Sequence, residues 1–182
     1  MHTQQLEEIL DKCKAQDRAA QYELYNMYSK AMYNVCVRMM KDDSSAEDAL
    51  QMAFVKAFKN IDSYKYDATF GAWLKRIVIN TCISELNKRK VFFQEVDDKD
   101  YVEVENEETD HAYDIQRIQY AMQMLPEGYR VIFTMYAVEG YDHQEISQVM
   151  GISEGTSKSQ YSRAKVKLKE LLLENERIAN IS

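Results

Sequence analysis

The sequence predicts an all-α protein built from two small helical domains joined by an acidic linker. Three observations carry this reading. The 182 residues include only 5 glycines and 1 proline, too few turn formers for a multi-stranded sheet and in keeping with long helices. Apolar residues recur at three- and four-residue intervals in both halves of the chain, the period of helices that bury one face. Between the halves, residues 91–114 hold ten acids and one base, a net −9 within a chain of net charge −7. That stretch lacks the helical period and reads as a solvated tether. The remainder is therefore +2, so the acidity is local and leaves both flanking parts able to approach DNA.

The first domain is expected over residues 1–90. It opens with a short helix over 5–15, and Asp17 caps a second, longer one. Leu24, Tyr28, Ala31, Val35 and Met39 should form the buried stripe of that helix. Lys41-Asp42-Asp43 interrupts the pattern. Ser44 and Glu47 then have the spacing of a capping box for a third helix reaching about Asn60. Its inner face is Ala46, Leu50, Ala53, Phe54, Ala57 and Ile61. Asp48, Gln51, Met52 and Val55 share another face, and such a mixture of polar and apolar groups could dock a partner helix.

An aromatic, polar loop follows over 62–69, with Tyr64, Lys65 and Tyr66 in it, and ends in a cap. The fourth helix runs from Phe70 to about Lys90, is packed on two sides, and carries Lys75, Arg76, Lys88, Arg89 and Lys90. Aromatic rings beside a basic helix suit single-stranded nucleic acid, because exposed bases stack and phosphates are neutralised.

The second domain is expected over 115–182. One helix covers Ile115–Met124, and Pro126 starts another that runs through Val131, Phe133 and Met135 and stops before Gly140. Asp142 and Glu145 form a capping box for a short helix that ends at Gly151, a natural left-handed cap. Ser153 caps a final helix through about Glu176. A short helix, a tight turn and a longer helix make a helix-turn-helix. At 100° per residue, Tyr161, Ala164, Leu168 and Leu172 cluster on the core side of the last helix. Gly155, Thr156, Ser159, Ser162, Arg163 and Val166 face away, flanked by Lys158 and Lys165. Small residues permit close approach to a major groove, Arg163 can donate two bonds to guanine, and the lysines can meet phosphates.

Other function classes find no support. Cys13, Cys36 and Cys82 are odd in number and far apart, so they read as reduced thiols packed as small hydrophobes and not as a zinc site. His2, His111 and His143 are equally isolated. With no nucleophile–base pair and no phosphate-binding glycine loop, neither an enzyme nor a cofactor is expected. No stretch approaches the roughly 20 apolar residues of a membrane span, and residues 1–5 have neither the basic nor the apolar part of a secretory signal. A cytoplasmic protein without membrane insertion is expected.

Several motifs resemble a known family. Ser45-Ala46-Glu47-Asp48-Ala49-Leu50-Gln51-Met52-Ala53-Phe54 looks like the core-binding helix of region two of bacterial sigma factors. Phe70-Gly71-Ala72-Trp73-Leu74-Lys75-Arg76-Ile77-Val78-Ile79-Asn80 is similar to the helix of that region that melts DNA and reads the minus-ten element. Leu125-Pro126-Glu127-Gly128-Tyr129-Arg130, then Glu139-Gly140-Tyr141, Glu145-Ile146 and Gly155-Thr156-Ser157-Lys158-Ser159, resembles region four. The order and separation of these motifs, without the extra domain of larger sigma factors, resemble the ECF (extracytoplasmic-function) type.

The resemblance implies a promoter-recognition subunit that binds core RNA polymerase and promoter DNA. Asp48, Gln51, Met52 and Val55 would dock on the clamp helices of the polymerase's largest subunit. The loop with Tyr64, Lys65 and Tyr66 would capture a base flipped from the non-template strand, Asn80 would help read the minus-ten element, and Lys75 and Arg76 would hold the backbone. Thr156, Lys158, Ser159, Ser162 and Arg163 would meet the minus-thirty-five element. The acidic tether would thread the polymerase's basic RNA path, and an anti-sigma factor is an implied partner. Two positions depart from the family pattern: Gln160 stands where many relatives carry a base, and Met52 where an acid is common. The competing expectation is a conventional helix-turn-helix regulator that binds palindromic duplex DNA without polymerase.

Overall fold

A chain with so few turn formers ends its helices by side-chain and backbone caps, and these caps set the architecture. The computed structural model describes residues 2–88 and 115–179, and every regular element among them is helical. Two compact units divide at Lys90. The acidic segment expected over 91–114 lies outside the described residues.

The first unit holds α1 (His2–Lys14), α2 (Arg18–Met39), α3 (Asp43–Lys59), a 3₁₀ turn (Ile61–Ser63) and α4 (Phe70–Lys88). The chain leaves α1 through Gln16, whose φ of 63° is left-handed. Asp17 N–H donates to the Lys12 carbonyl and Gln16 N–H to that of Cys13, each at 3.0 Å, closing a Schellman-type end. As expected, Asp17 then caps α2, its carboxylate accepting from the amides of Ala19 and Ala20 at 2.8 and 3.0 Å.

Two expectations for this unit are corrected. The cap of α3 is Asp42, not Ser44: the Asp42 carboxylate accepts from the Ser45 amide at 2.8 Å and from its hydroxyl at 2.7 Å. A carboxylate caps at least as well as a hydroxyl and is favoured by the positive end of the helix dipole, so it wins and leaves Ser44 in the first turn. On α2, Ala31 is exposed and Met32 and Cys36 are buried with Leu24, Val35 and Met39. Both α3 and α4 pack on α2, which widens its buried arc beyond a single stripe.

Every residue expected on the inner face of α3 is buried, and Ala46, Ala49, Ala53 and Ala57 line it. Methyl side chains keep α3 thin there, so α2 and α4 both close against it. Leu74, Val78, Ile79, Cys82 and Leu86 of α4 complete the core. Cys13, Cys36 and Cys82 are buried free thiols, packed as expected, and burial pushes the Cys13 thiol up to about 11.

The second unit holds α5 (Ile115–Met124), α6 (Glu127–Phe133), a π turn (Thr134–Val138), α7 (His143–Met150) and α8 (Glu154–Ala179). Pro126 stands at the N-cap of α6, and its carbonyl accepts from the Arg130 amide at 2.9 Å. The Arg130 side chain is 1% exposed and donates to the Leu125 carbonyl at 3.3 Å, fastening the α5–α6 turn. The helix expected to continue through Met135 widens after Phe133 into the π turn, where Glu139 N–H reaches the Thr134 carbonyl at 3.0 Å. Asp142 and Glu145 form the expected capping box, Gly151 is left-handed at φ 68°, and the Ser153 hydroxyl accepts from the Thr156 amide at 3.0 Å. The helix-turn-helix is present as read from the sequence.

Because Ala53 is fully buried where α3 meets its neighbours, Ala53→Leu is expected to overpack the first unit and destabilise it by about 1–3 kcal/mol. A urea titration of the full chain should show the first unit unfolding at lower denaturant, with the second unit's transition unmoved.

Candidate nucleic-acid and polymerase interfaces

Burying the alanine seam of α3 turns the rest of the helix outward. Asp48, Gln51 and Val55 are exposed and Met52 half-buried, so the four residues read as a docking face do share a surface. Beside them lies a feature that the sequence reading missed. Tyr25, Ser29, Lys30 and Tyr33 of α2 and Glu47, Leu50 and Gln51 of α3 line a groove of about 350 Å³. The four-residue spacing of Tyr25, Ser29 and Tyr33 was its sequence signal, a second stripe on α2 beside the core stripe.

Loop 62–69 is built on rings. Tyr64 packs on Tyr66, Phe70 and Trp73 with centroids 4.6, 5.5 and 5.5 Å away, and Tyr28 approaches Phe70 at 5.2 Å. The Tyr64 hydroxyl donates to the Ala68 carbonyl at 2.7 Å, which folds the loop over the ring. Burial raises the pKa of this phenol. Tyr64 is 8% exposed, so it carries the loop from beneath and presents no face to a base. Tyr66 is 47% exposed and, with Lys65, forms the outer surface of the loop. The Tyr66 backbone is left-handed at φ 63°, a conformation that costs a non-glycine residue roughly 1–2 kcal/mol. Thr69 then caps α4, its carbonyl accepting from the amides of Ala72 and Trp73 at 3.0 and 3.1 Å.

Along α4, Arg76 and Asn80 are exposed and Trp73 is half-buried, and their spacing places them on one side of the helix. Lys75 lies two residues beyond Trp73, about 200° round the axis, and is half-buried. It therefore stands apart from the surface that Trp73, Arg76 and Asn80 share.

On α8 the expected reading face is only partly available. Ser159 is 8% exposed, and its hydroxyl donates to the Thr156 carbonyl at 3.1 Å, a back-bond that turns it from solvent. The Thr156 hydroxyl is engaged by Ser153 at 2.8 Å in the cap. Ser162 and Arg163 are half-buried at the surface, and Lys158 is exposed, paired with Glu154 at 2.7 Å. Lys165 lies 5.3 Å over the Tyr161 ring.

The helix-turn-helix is locked by a contact between α7 and α8. His143 Nδ1 lies 2.9 Å from the Ser157 hydroxyl, and its ring stacks on Tyr136 at 4.3 Å. Tyr136 in turn meets Tyr161 at 4.4 Å. The π turn places Tyr136 in this cluster. Burial, with Lys158 nearby, lowers the His143 pKa against the opposing pull of Glu154 and Asp142.

Comparison with known proteins identifies the class. The family described as Sigma-70 region 2 matches residues 24–91, and the family described as Sigma-70, region 4 matches residues 115–168. The ECF RNA polymerase sigma factor SigM of Bacillus subtilis strain 168 is 32% identical over 152 residues, covering 82% of this chain and 93% of that protein. The protein of the same name from Mycobacterium tuberculosis strain H37Rv is 30% identical over 166 residues, covering 91% of this chain and 83% of the relative. A solved structure of the sigma factor RpoE in complex with the anti-sigma factor NepR from Bartonella quintana has a similar fold. Its TM-score is 0.55 at 24% identity, with 83% of this chain and 95% of that one covered. The chain belongs to the ECF family of RNA polymerase sigma factors. Among the described residues no helix is long and apolar enough to cross a membrane.

The lowered His143 pKa predicts a pH dependence. The folded state favours neutral imidazole more than the unfolded chain does, so this stabilisation is complete above the ordinary histidine pKa of 6.5 and is lost as pH falls through and below it. Thermal melts from pH 7.5 to 5.5 should show a larger fall in the midpoint of the helix-turn-helix unit for the wild type than for His143→Gln. Equal falls would place the pH dependence elsewhere.

Proposed function

We propose that this sigma factor divides promoter work between its two units and drives opening by binding alone, in the cytoplasm, with no bond made or broken by the chain itself. In the first unit, Asp48, Gln51, Met52 and Val55 dock on a helical element of core RNA polymerase, and the groove between α2 and α3 extends that surface. The loop with Lys65 and Tyr66 receives an unpaired base of the minus-ten element, supported from below by Tyr64. Arg76 and Asn80 take the adjoining strand, and Lys75 serves the backbone from the flank of α4. Unpairing costs a few kcal/mol and is offset once the freed base is stacked and enclosed.

In the second unit, α8 enters the major groove of the minus-thirty-five element. Arg163 is assigned to base edges, with Ser162 beside it, and Lys158 exchanges Glu154 for a phosphate. Thr156 and Ser159 act through the backbone geometry of the α8 N-terminus. The acidic tether over 91–114 passes along the polymerase's RNA path, and an anti-sigma factor covers the polymerase-docking surface until release.

The observation that carries these assignments is the outward placement of Asp48, Gln51, Val55, Arg76 and Asn80 on helices whose opposite faces are buried. A regulator acting alone on duplex DNA has no use for the surface around Tyr66. The direct test is gel filtration with core polymerase lacking sigma, followed by transcription from templates selected by the reconstituted enzyme. Co-elution and promoter-dependent transcripts are expected. Binding to palindromic duplex without polymerase would favour the regulator instead. Arg163→Ala should weaken binding to the upstream element by about 1–3 kcal/mol and leave co-elution intact; equal loss of both would make the residue structural.

A further inference from the structure

Lys14 lies 52 residues from Tyr66 in sequence, in the last turn of α1, yet its ammonium donates to the Tyr66 hydroxyl at 3.2 Å. The same nitrogen stands 5.1 Å from the Tyr66 ring centroid, within reach of a cation–π attraction. Asp11, one turn back, steadies it at 3.5 Å. Helix α1 also packs on the 3₁₀ turn from which the loop departs, and the left-handed exit at Gln16 terminates the helix just beyond Lys14.

This contact addresses a problem that the loop poses. Tyr66 is a bulky residue in a left-handed conformation with nearly half its surface in solvent. An isolated loop of this kind would spread over several conformers, and any base it captured would have to order it first. Tyr64 supports the ring at 4.6 Å, a contact within the loop itself that cannot tie it to a neighbouring element. Lys14 supplies the missing restraint from a rigid helix. With one donor on Tyr66 and another toward Asp11, the ammonium at the protein surface already has two partners within the chain.

We propose that Lys14 is a positioning residue for promoter opening, holding Tyr66 in its base-receiving pose before DNA arrives. The inference rests on the reading of loop 62–69 as the base-receiving loop. Preorganisation of this kind raises affinity by removing an ordering cost, without adding a contact to the ligand.

The test uses the full chain reconstituted with core polymerase on a template chosen by the wild-type enzyme, with open-complex formation followed by permanganate reactivity of unpaired thymines. Lys14→Met keeps the length of the side chain and removes both interactions. It is expected to slow opening by about 5- to 10-fold, the combined worth of one cation–π pair and one hydrogen bond, with unchanged co-elution with core. Lys14→Arg can make both interactions and should restore most of the rate. The double variant Lys14→Met with Tyr66→Ala should open no more slowly than Tyr66→Ala alone, because Lys14 acts only through that ring. Multiplying losses in the double variant would overturn the proposal, since Lys14 would then act on DNA by itself. Normal opening by Lys14→Met beside a defective Tyr66→Ala would overturn it too, with the loop reading intact. Should Tyr66→Ala open normally, the loop reading itself fails and the inference falls with it.

Discussion

The alanine seam of α3 is the constraint on which the first unit depends. Ala46, Ala49, Ala53 and Ala57 let α2 and α4 close on one thin helix, and that closeness decides what every other side chain can do. With its small residues inward, α3 must turn Asp48, Gln51 and Val55 outward. With Leu74, Val78 and Ile79 of α4 buried in the core, Arg76 and Asn80 are held at the surface. Both candidate binding surfaces are thus consequences of core packing, held on rigid helices at fixed positions. A larger residue in the seam would shift them together.

The loop between α3 and α4 obeys a different constraint. It is short, polar and strained at Tyr66, so regular backbone bonding cannot hold it. Rings do so from beneath, with Tyr64, Phe70 and Trp73 mutually in contact and Tyr28 against Phe70. A comparable solution appears in the second unit, where Tyr136, His143 and Tyr161 fix the crossing of α7 and α8. Aromatic side chains suit such places because a large rigid surface can be buried with few torsions lost.

Features set by residues near in sequence were legible in advance. The caps at Asp17, Asp142 and Ser153, the left-handed Gly151 and the helix-turn-helix all depend on hydrogen bonds spanning a few residues, and their residue types announce them. The outward face of α3 followed from helical period, whereas Asn80 on α4 was reached only through the family resemblance. What escaped reading involves competition or distance. Ser44 was read as the cap of α3, and the local geometry selects the Asp42 carboxylate in its place. The π turn, which places Tyr136 on His143, has no residue signature. Ser159 projects on the outer side of α8 by angle, but its back-bond and the turn of the chain bury it. Tyr64 reads as an exposed loop aromatic until the rings beneath it are seen. The Lys14–Tyr66 contact joins segments that no periodicity relates.

Trp73 is the chain's single tryptophan, and it lies in the ring cluster under the loop, half-buried and 5.4 Å from Phe70. Tryptophan emission from the unlabelled protein, excited at wavelengths that the 13 tyrosines do not absorb, therefore originates at one known point. Because that indole is within 5.5 Å of Tyr64, a rearrangement of the loop must alter its surroundings and hence its colour and lifetime. The molecule carries a native optical reporter beside its candidate base-binding surface, suited to rapid-mixing kinetics without chemical dyes.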